Sequence, residues 1–408
     1  MTASIDDPHL IRRAGAAQLA CALAEGRAAT LRLFSSVRGA LGPRLDIPYA
    51  AEVNPPLWEL GHVAWFEEFW NARNTERLRG ASARLEAPRA ASLLPRVDAL
   101  FDSSTVAHTT RWHLDMPDAK RTLAYAAQVR ERTAALLGAC GDGDDALYFF
   151  RLALFHEDMH READTMIAQG LALDASAALA ATAPAAAVAP RSELAIDGAA
   201  LTVGHFDGGF AFDNELGAHR VTVAGFRIDA APITWGDVLP FIAAGGYDDA
   251  QWWTRAGRAW RLRALPHGLP RYVRRIEDGS LQRATFGRWT TIDPAQPAMN
   301  LSQHEALAWC AWAGRRLPTE HEWTLAVAQA GDAFSWGQVW EWTASAFEPW
   351  PGFVPHPYRD YSQPWFDGRP VLKGGSFATA PRMKHPHYRN FFSADRNDVF
   401  AGFRSCAV

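Results

Sequence analysis

The stretch "YFFRLALFHEDMHREADTMIAQGL", Tyr148 to Leu171, decides the fold of the first half of this chain. At about 100° per residue, Phe149, Leu152, Ala163 and Ile167 fall within roughly 40° of His156, and His160 lies roughly 40° to one side, so both imidazoles point into a core. Within it, His156-Glu157-Asp158-Met159-His160 spells H-E-x-x-H, the helix signature of zinc peptidases. Glu157 is turned roughly 100° from His156 and Glu162 points away, so neither completes a metal site from within the helix. Peptidases of the common kinds take a third ligand downstream, from H-x-x-G-x-x-H or from a glutamate on the next helix. Here the next histidine is His205 and the next glutamate after Glu162 is Glu193, past an alanine-rich break.

Upstream, "NPPLWELGHVAWFEEFW" offers a better third ligand. Asn54 is suited to cap a helix whose first turn takes Pro55 and Pro56. With His62 as origin, Trp58, Trp65, Phe66 and Phe69 fall within roughly 60°, so this histidine also faces apolar surroundings. A single histidine among aromatics is commonly a hydrogen-bonded core residue. An i, i+4 pair on an apolar face is harder to explain that way, because burying adjacent imidazoles without partners is costly. Three neutral nitrogens with open positions suit Fe(II) or Zn(II), and ligand type alone does not choose between them.

The chain has 408 residues, 48% hydrophobic, with a net charge of -4. That is long enough for two domains, and there is no basic excess pointing to nucleic acid. The start, "MTASIDDPHLIRRAGAAQLA", carries acids ahead of its arginines and no long apolar run, so no signal peptide or membrane span is indicated and a cytoplasmic location is expected. Cys21, Cys140, Cys310 and Cys406 are scattered without C-x-x-C spacing, which fits reduced thiols.

The predicted class is α plus α+β. Residues 1–173 read as four helices: "DPHLIRRAGAAQLACALAEGRAATLRLFSSV", the segment from Asn54 to Asn74, "PDAKRTLAYAAQVRERTAALLGAC" and the opening stretch. Such a bundle holds a metal between facing helices, here the second and fourth. Residues 174–192, "DASAALAATAPAAAVAPRS", read as an Ala/Pro-rich linker. Residues 193–408 show short apolar runs, frequent Gly and Pro and many aromatics, the pattern of an irregular α+β domain with much loop.

"FDGGFAFDNELGAHRV", "AWCAWAGRRLPTEHEWTLA", "VWEWTASAF", "VLKGGSFAT" and the closing "FAGFR" resemble the formylglycine-generating-enzyme fold, a C-type-lectin-like domain of the sulfatase-modifying-factor kind. The first half, with His62 and "HEDMHRE", resembles a DinB-like four-helix bundle. Joined in this order, the two resemble the iron-dependent sulfoxide synthases of ergothioneine biosynthesis and their selenoneine-synthase relatives. The resemblance implies an Fe(II) site at His62, His156 and His160, O₂ as co-substrate, and bond formation between sulfur or selenium and C2 of the imidazole of hercynine, a trimethylated histidine betaine. Glu157 then becomes a surface or interhelical residue and H-E-x-x-H a coincidence of spelling. The implied partners are small molecules, hercynine and a selenosugar or thiol, with no nucleic acid and no membrane.

Further residues follow from the same resemblance. "PGFVPHPYRDYSQPWF" resembles the family segment carrying an active-site tyrosine, matched by Tyr358, with Tyr361 one bend along and assigned to substrate binding. "KHPHYRNFFSADRND" resembles the substrate-binding strand and loop, which assigns Arg389, Asn390, Phe391 and Phe392 to substrate; a quaternary ammonium seeks aromatic faces. Met159 stands where some relatives carry a polar side chain toward the substrate imidazole. Relatives that use γ-glutamylcysteine have Trp-Asp after Arg-Asn, whereas here Phe391-Phe392 follow, and "FDSSTVAHTTRWHLDMPD" holds Arg111 as its one arginine. With "DIPYAAEVNPPLWELGHVAWFEEFW", these departures resemble the selenoneine branch and imply a selenosugar. A sulfur substrate, a zinc peptidase, and a binding module built on the lectin-like half are the competing readings; a lectin-like fold does not by itself imply chemistry.

Overall fold

Asp144–Gly170 forms one helix of 27 residues. In the computed structural model, which describes residues 5–174, 187–188, 191–204 and 208–408, it packs among the other long helices of the first half. In chain order the helices are α1 (Ala16–Leu41), α2 (Pro56–Glu67), the short α3 (Val97–Phe101), α4 (Ala119–Gly138) and α5 (Asp144–Gly170). Asp144 and Asp145 occupy the first turn of α5, where carboxylates suit the positive end of a helix. Every residue from Leu147 to Asp158 is buried, because α5 is enclosed by helices on one side and by the second domain on the other. The charged side chains in that run are each paired: Arg151 with Asp144, Glu157 with Arg27 and Arg130, and Asp158 with Arg382. Buried ions persist on that condition.

The third and fourth expected helices lie where the periodicity put them; the first, expected from Asp7, is broken into a 3-10 turn at Ile11–Arg13 and α1 from Ala16, and the start of α2 also differs. Pro55 is the capping residue, Pro56 begins the helix, and no side chain caps it. Asn54 turns its amide elsewhere, toward Glu59 and Arg111. After Glu67 the helix widens into a π turn, Glu68–Ala72. π turns often occur near functional sites, and here Phe69 and Trp70 both reach the central cavity.

The first strand of the second domain is β1 (Glu193–Ile196), and the linker expected at 174–192 falls largely outside the described residues. β1 pairs with the strand Phe226–Asp229, which continues to Cys406–Ala407 and then Arg315–Arg316. A second sheet orders the strands Asn390–Phe391, Pro370–Lys373, Trp340–Ala346 and Ala401–Gly402. Helices starting after Thr234, Ser302 and Thr319 each have a capping box with an acid three residues on, a pattern visible in the sequence. Among the described residues no helix is long and apolar enough to cross a membrane, and all four cysteines are free thiols.

The two domains are joined by buried polar contacts. Arg12 forks onto Glu215 at 2.8 and 2.9 Å. Glu162 accepts from Trp340, Ser376 and Thr379, and Gln169 exchanges hydrogen bonds with Ala284 and Phe286. Glu162, expected to point away from the core, is therefore buried against the second domain. The helical wheel could not register a partner 178 residues along the chain.

Candidate metal centre

The histidines of α2 and α5 meet. One ring nitrogen from each of His62, His156 and His160 lies within 4.8 Å of the others. Each ring is held differently. His62 bonds Phe101 O through Nδ1 at 2.7 Å and stacks on Trp58, with ring centroids 4.8 Å apart. Gly61 makes that approach feasible, since a Cβ there would sit 2.2 Å from the Phe101 ring. His160 bonds the Glu59 carboxylate through Nδ1 at 2.6 Å. His156 lies flat against Phe66 at 3.5 Å, and both of its nitrogens are buried without a hydrogen-bond partner.

An orphaned buried imidazole is costly unless something else binds it, and three nitrogens facing one point supply the explanation. In His62 and His160 the outer nitrogen is occupied by an acceptor, which fixes the tautomer and leaves Nε2 free, the arrangement of a metal-ligating histidine. Burial, then repulsion from His160, holds His62 down to about 3, and burial drives His156 well below the usual imidazole range. Both rings are therefore neutral near pH 7, as ligands must be. Burial raises the Glu59 carboxyl, but attraction from His160 and the bond to it outweigh this and hold it down to about 2. The residues fit a three-histidine metal ion.

Glu157 is not at this centre. It is 3% exposed and bonds Arg27 at 2.7 Å and Arg130 at 2.5 Å. The expectation of an interhelical residue holds, and the peptidase reading loses its general base.

The histidines sit on the wall of a cavity of about 1070 Å³ lined by both domains. From the second domain Tyr358, Tyr361, Asn390, Phe391 and Phe392 reach it, and Met159 reaches it from α5. The Tyr358 ring packs on Phe66 at 4.8 Å and lies 6.0 Å from that of His156. Burial raises the Tyr358 hydroxyl above its usual range, so it stays protonated. Tyr361 stacks on Phe212 and donates to the Tyr388 hydroxyl at 3.1 Å. Phe391 stacks on Phe347 at 4.0 Å. Arg389, expected at the substrate, is absent from the wall. Its guanidinium is buried, forked onto Glu320 at 2.8 and 3.0 Å and bonded to the carbonyls of Asn214 and Glu348. It anchors the strand that presents Asn390 and Phe391 instead of reaching the cavity.

Residues 22–163 match the DinB superfamily, and residues 180–338 and 335–407 match the Sulfatase-modifying factor enzyme 1-like domain. The hercynine oxygenase of Mycobacterium tuberculosis is 34% identical, over 95% of this chain and 98% of its own length. The chain belongs to the hercynine oxygenase family. The hercynine oxygenase of Mycolicibacterium smegmatis is 31% identical over 95% of this chain and 97% of its own length. Ergothioneine biosynthesis protein 1 of Schizosaccharomyces pombe is 26% identical over 48% of this chain and 27% of its own length. Among solved structures, PvdO from Pseudomonas aeruginosa matches 52% of this chain and 93% of its own at 18% identity, with a TM-score of 0.36.

Membership of the hercynine oxygenase family places the chain among enzymes, and the cavity takes its walls from both the DinB part and the Sulfatase-modifying factor enzyme 1-like part. Sequence reading missed the surroundings of the histidines. Glu59, three residues before His62, is the carboxylate partner of His160, and Asn54, read as a cap, bonds Glu59 in turn. An acid on the histidine-bearing face of "NPPLWELGH" is the one signal that pointed there.

Proposed function

We propose that this protein forms a carbon–selenium bond between C2 of the hercynine imidazole and a selenosugar, using Fe(II) held by His62, His156 and His160. When bound, Fe(II) supplies the means of reducing O₂. In the balanced reaction the imidazole C2–H and the Se–H bonds break, the C–Se bond forms, one oxygen atom ends on selenium as a selenoxide and the other leaves as water. The observation carrying this reading is three converging imidazoles, one of them orphaned, on the wall of a two-domain aromatic cavity in a chain 34% identical to a hercynine oxygenase.

The residues of the chain have distinct tasks in this scheme. Phe391 and Phe392 offer aromatic surface to a trimethylammonium group, and Asn390 offers an amide to the carboxylate or imidazole of hercynine. Tyr358, protonated and beside His156, is placed to give a proton or hydrogen at its hydroxyl.

Support for selenium over a γ-glutamyl thiol comes from the arginines. Arg111 is engaged with Asn54 and Val106, Arg396 with Asp398, and Arg389 with Glu320, so these three are already paired where two substrate carboxylates would require partners. Phe391-Phe392 also leaves no acid at that point for an ammonium group. The sulfur reading is favoured by Arg359, half-exposed at the cavity and held only loosely by Glu86 at 3.8 Å.

The test is anaerobic Fe(II) reconstitution followed by O₂ with hercynine and either a selenosugar or γ-glutamylcysteine, with products weighed by mass spectrometry. A hercynine adduct containing selenium and sugar is expected. An adduct with γ-glutamylcysteine alone makes sulfur the substrate, and no adduct with either overturns the reading.

A further inference from the structure

A hydrogen-bonded chain runs from the cavity wall to His160, and a stacked contact runs from the same arginine through Trp58 to His62. Arg111 donates through Nη1 to Asn54 Oδ1 at 2.7 Å. Asn54 donates through Nδ2 to one oxygen of Glu59, and His160 donates through Nδ1 to the other. The Arg111 guanidinium also lies over the Trp58 ring at 3.9 Å, and Trp58 stacks on His62 with an interplanar angle of 9°. Glu59 and Trp58 are each 1% exposed and Arg111 8%. Its Nε is buried without a partner, so the head group is placed by its Asn54, Val106 and Trp58 contacts.

We propose that Arg111, Asn54 and Glu59 act as one positioning device that fixes the ring of His160, and through Trp58 the ring of His62, at metal-binding geometry. This rests on the metal reading of the three histidines. The polarity of the chain is what makes it specific. An amide accepts through oxygen and donates through nitrogen. A guanidinium has no acceptor, so Arg111 compels Asn54 to present oxygen toward itself and nitrogen toward Glu59. That leaves the second Glu59 oxygen as acceptor for His160 Nδ1–H, keeps the proton on Nδ1 and aims the Nε2 lone pair inward. His156 has no hydrogen-bond partner and packs on Phe66, and His62 is also held by Phe101 O, so the chain supplies the polar hold on His160. Arg111 faces the cavity, yet its bonds run toward the ligands.

The experiment titrates the full-length apoprotein with Co(II), reading the visible ligand-field bands and chelator competition, alongside apoprotein melting. Glu59→Gln is expected to weaken Co(II) about 10- to 100-fold and to shift the bands while melting stays near wild type. Glu59→Asp should restore part of the affinity. Asn54→Ala and Arg111→Met should each weaken binding, and their double variant should be no weaker than the worse single, because both cut the same chain. If Glu59→Gln does not fold, Asn54→Ala at its half-buried position carries the test. Wild-type Co(II) affinity and bands in both Glu59→Gln and Asn54→Ala, with binding lost in His160→Ala, would overturn the device and leave the metal site standing. Failure of the wild-type protein to bind Co(II) or Fe(II) would overturn both.

Discussion

Asp158 and Arg382 form a buried ion pair across the two domains, with bonds of 2.6 and 2.9 Å. Asp158 precedes His160 by two residues, so the pair ties the ligand-bearing helix to the second domain near the metal centre. Arg382 also bonds Glu25 of α1 at 2.8 Å. Removing one partner of such a pair leaves a buried charge uncompensated, so Arg382→Met should lower stability to urea by about 3–5 kcal/mol. Replacing Asp158 as well, by Asn, should recover part of the loss. An unfolding midpoint equal to wild type in the single variant would show that the pair contributes nothing.

Glu157→Gln separates the two meanings of H-E-x-x-H. Its carboxylate lies between Arg27 and Arg130, so the variant should lose roughly 3 kcal/mol of stability. Iron content and turnover per folded molecule should stay near wild type. His156→Ala and His160→Ala should instead bind no iron and make no product. Abolished turnover in folded, iron-loaded Glu157→Gln would restore a general-base role.

Tyr358→Phe removes the hydroxyl and leaves the ring against Phe66, 6.0 Å from that of His156. Metal affinity and hercynine affinity should change less than about threefold, within ~0.7 kcal/mol. The product mixture should shift from the hercynine adduct toward oxidised selenol or thiol. An unchanged ratio of coupled to uncoupled product would remove Tyr358 from the chemistry.

Glu305 provides a pH test away from the centre. Burial pushes this carboxyl up to about 7, against bonds from Ser302 and Tyr247. The folded chain thus holds this proton over a range, about 4.5 to 7, where the unfolded chain releases it, so the site destabilises the fold progressively as pH rises through that window. Glu305→Gln carries no such proton. The stability difference between variant and wild type should therefore move in the variant's favour from pH 4.5 to 7, by at most about 3 kcal/mol, and level off above. A difference independent of pH in denaturant melts would refute the assignment.

The histidine triad was legible because two periodic signals carry it: i, i+4 spacing in α5 and the aromatic face around His62. The change of composition near residue 193 was legible for a similar local reason. Asn54, Glu162 and Arg389 were not. Each is a polar residue whose role is fixed by a partner distant in sequence, 57 residues for Asn54 with Arg111, 178 for Glu162 with Trp340 and 69 for Arg389 with Glu320. Local pattern assigns such residues to caps, surfaces or substrate by default, and tertiary pairing overrides it.

Arg12, Asp158, Glu162 and Gln169 all bond into the second domain, and Tyr358 comes to His156 only by that route. The spacing of the reacting groups is therefore a property of two interlocking surfaces and not of the covalent tether between them. In assembly terms the protein is a heterodimer that happens to be continuous: its tether raises the effective concentration of one half for the other. Two polypeptides divided between the domains would then be expected to rebuild one site.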